Sequence, residues 1–92
     1  MGKKVDVCSV DIGEIIHIYR IVSDGKVEAI YRISKEECTK IRELLYRKGY
    51  EGILTKIWGV PSMCITYYNV DNDTIKEITK YGKLIPQTWV IE

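Results

Sequence analysis

Residues 14–33 read EIIHIYRIVSDGKVEAIYRI, with a run rich in β-branched residues on each side of Asp24-Gly25. Asp-Gly is a preferred pair for a two-residue type I′ turn, in which both central positions have positive φ. β-branched side chains are stiff at χ1 and favour strands. The stretch therefore predicts an antiparallel hairpin in which Val22 lies opposite Val27, with the same register continuing along both strands.

A further strand precedes this hairpin. Residues 4–12 alternate in character, and Gly13 permits a tight reversal into the next strand. The pattern predicts a three-stranded antiparallel meander over residues 4–33. A tight reversal places Cys8 opposite His17 in neighbouring strands.

These registers sort the meander into two faces, because side chains alternate along a strand. One face is predicted to form the core and collects Val5, Val7, Ile16, Ile18, Val22, Val27, Ala29, Tyr31 and Ile33. The second face is mixed and collects Asp6, Cys8, Val10, Ile15, His17, Tyr19, Ile21, Glu28, Ile30 and Arg32. It is too apolar for free solvent, so we expect a partner or another part of the chain to cover half of it. Arg20 points into the core and must find a carboxylate or extend to solvent.

The rest of the chain predicts two helices and three more strands. Their signals are a capping box at Ser34-Lys-Glu-Glu37 for a helix over 34–48, a hairpin over 50–70 around Gly59-Val60-Pro61-Ser62, a capping box at Thr74-Ile-Lys-Glu77 for a helix over 74–81, and a strand over 88–92. The predicted fold is α+β, with a mixed β-sheet of order β-β-β-α-β-β-α-β along the chain and two helices packed on one face.

The composition fits one small domain of balanced charge. The chain has 92 residues, and 14 Lys plus Arg against 13 Asp plus Glu give a formal net charge of +1. This balance excludes a strongly basic nucleic-acid wrapper and an acidic mimic of DNA. A hydrophobic fraction of 46% with 29% charged residues is ordinary for a soluble domain and too apolar for disorder. We predict a single domain over residues 1–92.

The three cysteines bear on the cellular compartment. Cys8, Cys38 and Cys64 are about thirty residues apart and form no CxxC pair. We therefore expect reduced thiols and a cytoplasmic protein, and no segment predicts a signal peptide or a membrane span. A low content of Asn and Gln beside many Lys and Glu favours a thermophilic or AT-rich source.

Cofactor and metal motifs are missing from the sequence. Neither GxGxxG nor GxxxxGK[ST] occurs, so nothing predicts a bound nucleotide. His17 is the single histidine, and the scattered cysteines lack the paired spacing of a zinc knuckle. We predict no metal, no cofactor and no enzymatic activity.

The leading functional prediction is a small regulatory module that binds another protein or a second copy of itself. Its binding residues lie on the mixed second face: Ile15, His17, Tyr19, Ile21, Ile30 and Arg32. One alternative is a binder of single-stranded nucleic acid, in which Tyr19 stacks on bases and Arg32 contacts phosphates. The other is a cysteine-dependent enzyme, in which His17 stabilises a Cys8 thiolate.

Overall fold

The structure is a computed structural model and describes residues 2–57 and 59–86. Its elements are β1 (Lys3–Asp11), β2 (Ile15–Ser23), β3 (Lys26–Ile33), α1 (Lys35–Arg47), β4 (Ile53–Thr55), β5 (Ser62–Val70), α2 (Asn72–Ile78) and β6 (Lys83–Leu84). The strands form one six-stranded sheet of order β4-β5-β1-β2-β3-β6. Both helices contribute to a single core on one face of this sheet.

The predicted α+β class is confirmed, with two corrections in the sheet. All described strand pairs are antiparallel, so the sheet is antiparallel rather than mixed. The strand β6 beside β3 was not predicted, and the strand predicted over 88–92 lies outside the described residues. No helix in the described part of the chain is long and apolar enough to cross a membrane.

The turn between β2 and β3 forms at Asp24-Gly25, as predicted. Both residues have positive φ, 53° and 76°, and Val22 lies opposite Val27. Beyond that pair the register changes, because Ile21 lies opposite Ala29. A β-bulge at this point adds one residue to β3 and shifts every later pair. The predicted register is therefore right next to the turn and wrong by one residue along the rest of the hairpin.

The reversal between β1 and β2 is longer than predicted. Asp11 lies opposite Ile15, so residues 12–14 form the loop. Gly13 has a φ of 100° there, and its N–H donates to the Asp11 carboxylate at 3.0 Å. This loop sets the register of β1 against β2, which again differs by one residue from the prediction.

Strand β2 is consequently turned over relative to the prediction. A one-residue slip moves every side chain of a strand to the other face, and β2 is slipped against both of its neighbours. Tyr19 and Ile21 therefore lie in the core under the helices. The predicted core residues Ile18 and Val22 occupy the opposite face with Ile16. The bulge also moves Val27 to that face, whereas the other predicted core residues of β1 and β3 keep theirs: Val5, Val7, Ala29, Tyr31 and Ile33.

Tyr19 is at the centre of the core between the sheet and the helices. It is fully buried and stacks on Tyr31, with ring centroids 4.7 Å apart and planes 7° from parallel. Its hydroxyl donates to the carbonyl oxygens of Ile78, the last residue of α2, and of Tyr81, in the segment that follows, at 3.2 and 3.3 Å. Burial raises the pKa of Tyr19 far above its ordinary value. The ring and hydroxyl thus tie α2 to the sheet.

The predicted capping box of α1 is confirmed, whereas the predicted start of α2 is wrong. Ser34 caps α1 and forms the predicted capping box with Glu37. In α2 the cap is Asp71, whose carboxylate accepts from the Thr74 N–H at 2.9 Å. An aspartate is a strong N-cap, so α2 begins at Asn72 and the predicted helix over 74–81 is shifted toward the N-terminus.

Candidate binding surface at the β4 edge

The six predicted binding residues do not share a surface. Tyr19 and Ile21 are buried in the core, where they cannot reach a partner. Ile30 and Arg32 lie on the opposite face of the sheet. Only Ile15 and His17 remain accessible on the helix side, because the turned β2 separates the predicted set.

The predicted pair of Cys8 and His17 is also wrong. Cys8 lies opposite Ile18 and faces away from the helices, whereas His17 lies opposite Ser9 on the helix side. The Ser9 hydroxyl and the His17 Nδ1 are 3.0 Å apart and form a hydrogen bond. A thiol activated by His17 therefore does not form, and buried Tyr19 offers no ring on which a base could stack.

The face opposite the helices carries a disulfide between Cys8 and Cys64. The expectation of three reduced thiols is thus corrected, and Cys38 is the free cysteine among the described residues. Burial raises the pKa of the Cys38 thiol. The disulfide joins β1 to β5 across a sequence separation of 56 residues. Cysteine spacing contains no signal for it, because the contact depends on which strands become neighbours.

The same face contains a polar network centred on Asp6, which is 2% exposed. Its carboxylate accepts from the Thr66 hydroxyl at 2.6 Å and from the Arg20 guanidinium at 2.7 and 3.1 Å. Thr66 also shares a hydrogen bond of 2.7 Å with the hydroxyl of Thr55. A buried carboxylate is costly unless it is paired in this way. Asp6 is thus the carboxylate that Arg20 was expected to need.

Other parts of the chain cover this face in part. A small apolar cluster forms around the disulfide: Cys8, Val10, Ile18 and Cys64. Ile57, from the segment after β4, and Ile85, after β6, pack against it from the two edges of the sheet. The side chains around the disulfide are thereby engaged in contacts within the chain.

A more accessible apolar surface lies on the helix side, beyond the helices. Leu54, Met63 and Ile15 are 69%, 65% and 61% exposed. The cross-strand register places Ser9 beside Met63 and beside His17, so the two polar side chains lie between the apolar ones. We call these five residues the uncovered patch. Leu54 and Met63 were not predicted as binding residues, because one lies in a three-residue strand and the other near a strand end, where no local pattern marks them.

The uncovered patch reaches the edge of the sheet at β4. Along two antiparallel strands, pairs of residues that are hydrogen-bonded to each other alternate with pairs that are not. The Asp11 N–H donates to the Pro61 carbonyl oxygen at 3.0 Å, so Asp11 and Pro61 are a bonded pair, and Cys8 and Cys64, three pairs along, are not. By that alternation the N–H and C=O of Cys64 point toward β4, where Thr55 is its partner. Leu54, one residue along, therefore directs its own N–H and C=O away from the sheet. Neither group has a hydrogen-bond partner within residues 2–57 and 59–86.

A shallow depression adjoins this edge beside the end of α1. It is lined by Tyr46, Arg47, Gly49, Tyr50, Glu51, Gly52 and Tyr67. A Cβ at Gly52 would collide with the side chain of Ile65 and press on the ring of Tyr67, so the chain approaches the sheet closely here. Tyr46 is 80% exposed. The depression leaves space next to β4 for a side chain from outside.

In comparisons with known proteins, no protein family, no curated protein and no solved structure matches the chain.

Proposed function

We propose that this protein is a binding module in which an extended segment of a protein partner pairs with the edge strand β4. The observation that carries the proposal is the outward N–H and C=O of Leu54 at a sheet edge that continues into the uncovered patch. An open edge is complemented by the backbone of another extended chain, and alternate side chains of that chain then meet the same face. A protein segment satisfies the backbone groups and the apolar patch together.

The character of the patch favours protein over nucleic acid. Leu54, Met63 and Ile15 are apolar, and the five residues of the patch include no Lys or Arg. Nucleic-acid affinity depends on cations that replace counterions along the phosphates. With a formal net charge of +1, the chain offers little of that attraction.

The shortness of β4 supports selective pairing. β4 spans Ile53–Thr55 and is followed by Lys56. Short edge strands and edge lysines limit indiscriminate strand addition. A partner must therefore gain from side-chain contacts as well as from backbone bonds, which suits a regulatory module.

We also infer an intracellular location in a thermophile. Intracellular proteins of hyperthermophiles are an exception to the rule that disulfides belong to oxidising compartments. The Cys8–Cys64 disulfide and the low Asn and Gln content both fit that exception.

Selection from a phage-displayed library of random linear peptides tests the binding proposal. We expect the full chain to select apolar, β-prone peptides, and their binding to slow amide exchange at Leu54. Leu54→Pro removes the outward N–H and should weaken binding at least tenfold. The matched control Leu54→Ala keeps the N–H and should lose less.

Thermal melting establishes that both variants fold. The proposal is wrong if no selected peptide binds, if Leu54→Pro binds as tightly as the unmodified chain, or if a random single-stranded oligonucleotide at low salt competes for the site.

A further inference from the structure

We propose that the segment bound at β4 is the β4 strand of a second copy of this chain, paired antiparallel about Leu54. This inference rests on the proposed function. A closed pair of identical chains has a twofold axis, and the same residues then meet from both sides. For two antiparallel strands that axis is perpendicular to the sheet, so residues facing the same side lie opposite each other. A register centred on Leu54 meets this condition.

The backbone of β4 suits that register. With Leu54 opposite its symmetry mate, the two outward N–H groups donate to the two outward carbonyl oxygens. The Ile57 N–H donates to the Ser62 hydroxyl at 2.8 Å, so the chain beyond Thr55 continues to face β5. Lys56 consequently directs its backbone outward as Leu54 does. The two six-stranded sheets join into one across the axis.

Side chains on the helix side of β4 complement each other in this register. The two Leu54 side chains, each largely exposed in the single chain, lie opposite one another. Lys56 of one copy lies opposite Gly52 of the other. From there the aliphatic part of Lys56 can enter the adjoining depression and pack on Tyr46 and Tyr50.

The charges of that depression also fit a lysine. Glu51 lines it and is exposed, so the Lys56 ammonium of the second copy meets a carboxylate. Arg47 lines the same depression and repels an ammonium, so Glu51 is the group that attracts it. The contact occurs twice by symmetry. With a formal net charge of +1 on each chain, little overall repulsion opposes the pairing.

Sedimentation velocity of the full chain over a range of concentrations measures the pairing, and charge reversal tests its register. We expect a monomer–dimer equilibrium. Glu51→Lys and Lys56→Glu should each weaken dimerisation at least tenfold, since each puts like charges at both contacts. An equimolar mixture of the two variants should recover the dimer, because opposite charges then meet at both contacts. Glu36→Lys, an exposed position on α1, is the matched control and should leave the equilibrium unchanged.

The outcomes separate this inference from the proposed function. A chain that stays monomeric at all concentrations while selected peptides still bind at Leu54 overturns self-pairing and leaves peptide binding standing. A dimer that survives both charge reversals and Leu54→Pro uses another surface and also overturns the inference. If the single reversals weaken the dimer but their mixture does not recover it, the proposed register is wrong.

Discussion

The two faces of the sheet are stabilised in different ways. The helix side buries aromatic and aliphatic groups under α1 and α2, with Tyr19, Ile41 and Leu45 fully buried. The opposite face, which no helix in the described residues covers, is held by the Cys8–Cys64 disulfide and the Asp6–Arg20 ion pair. On the helix side, many apolar contacts each contribute a small part of the stability. On the opposite face, each specific link between neighbouring strands contributes a large part of it. The stability of the opposite face should therefore depend on few residues.

Loss of the disulfide should reduce the stability of the protein more than any other change considered below. Replacing Cys8 and Cys64 together by alanine should lower the free energy of unfolding by about 4 kcal/mol, because the crosslink closes a long loop of the unfolded chain. Urea unfolding with and without a reductant measures this. The reductant should destabilise the unmodified chain and leave the double variant unchanged.

Cys38→Ala is the control on the helix side, since Cys38 is buried there without a bond to another cysteine. It should cost about 1 kcal/mol and keep the response to reductant. Equal losses for the two replacements would contradict the contrast between the faces.

A smaller effect is expected for the buried ion pair. Asp6→Asn should cost about 2 kcal/mol, because it removes the charge that holds two hydrogen bonds from Arg20. A double-mutant cycle with Arg20→Gln in urea unfolding should give a clear coupling energy. The exposed pair of Lys3 and Glu28, 2.8 Å apart, is the matched control, and Lys3→Gln should cost under about 1 kcal/mol. Independent effects at Asp6 and Arg20 would contradict a linked pair.

The smallest effect concerns pH and the helix side. Hydrogen bonds from the N–H groups of Ser34 and Gly82 lower the pKa of Glu37 below its ordinary value of 4.5. A lowered folded-state pKa adds stability above the unfolded-state value, and that stability is lost as the pH falls through the folded-state value. The free energy of unfolding should therefore drop less below about pH 4.5 in Glu37→Gln than in the unmodified chain.

Urea unfolding at several pH values between neutrality and acid measures this difference. Glu36→Gln is the control in the same turn, because both hydrogen bonds end on Glu37. An identical acid response in Glu37→Gln and the unmodified chain would show that these bonds carry no pH-dependent stability.

One residue in the sequence already indicated the error in the predicted faces. The predicted register directed Arg20 into the core, where its charge had no partner. A slip of one residue between β1 and β2 removes that conflict, because it brings Arg20 opposite Asp6. A buried charge without a partner is therefore evidence against a register. The same slip places Tyr19 in the core and removes it from the candidate site.

Features that depend on near neighbours could be predicted from the sequence: the Asp24-Gly25 turn, the Ser34–Glu37 capping box and the two strands that flank the turn. Each is set by backbone preferences and hydrogen bonds within a few residues. The assembled sheet was needed to show which face each β2 side chain occupies, that Cys8 meets Cys64, and that the N–H and C=O of Leu54 are unpaired within the described residues. Those outcomes depend on the length of one loop, on one bulge, and on strands that become neighbours only when the whole sheet assembles.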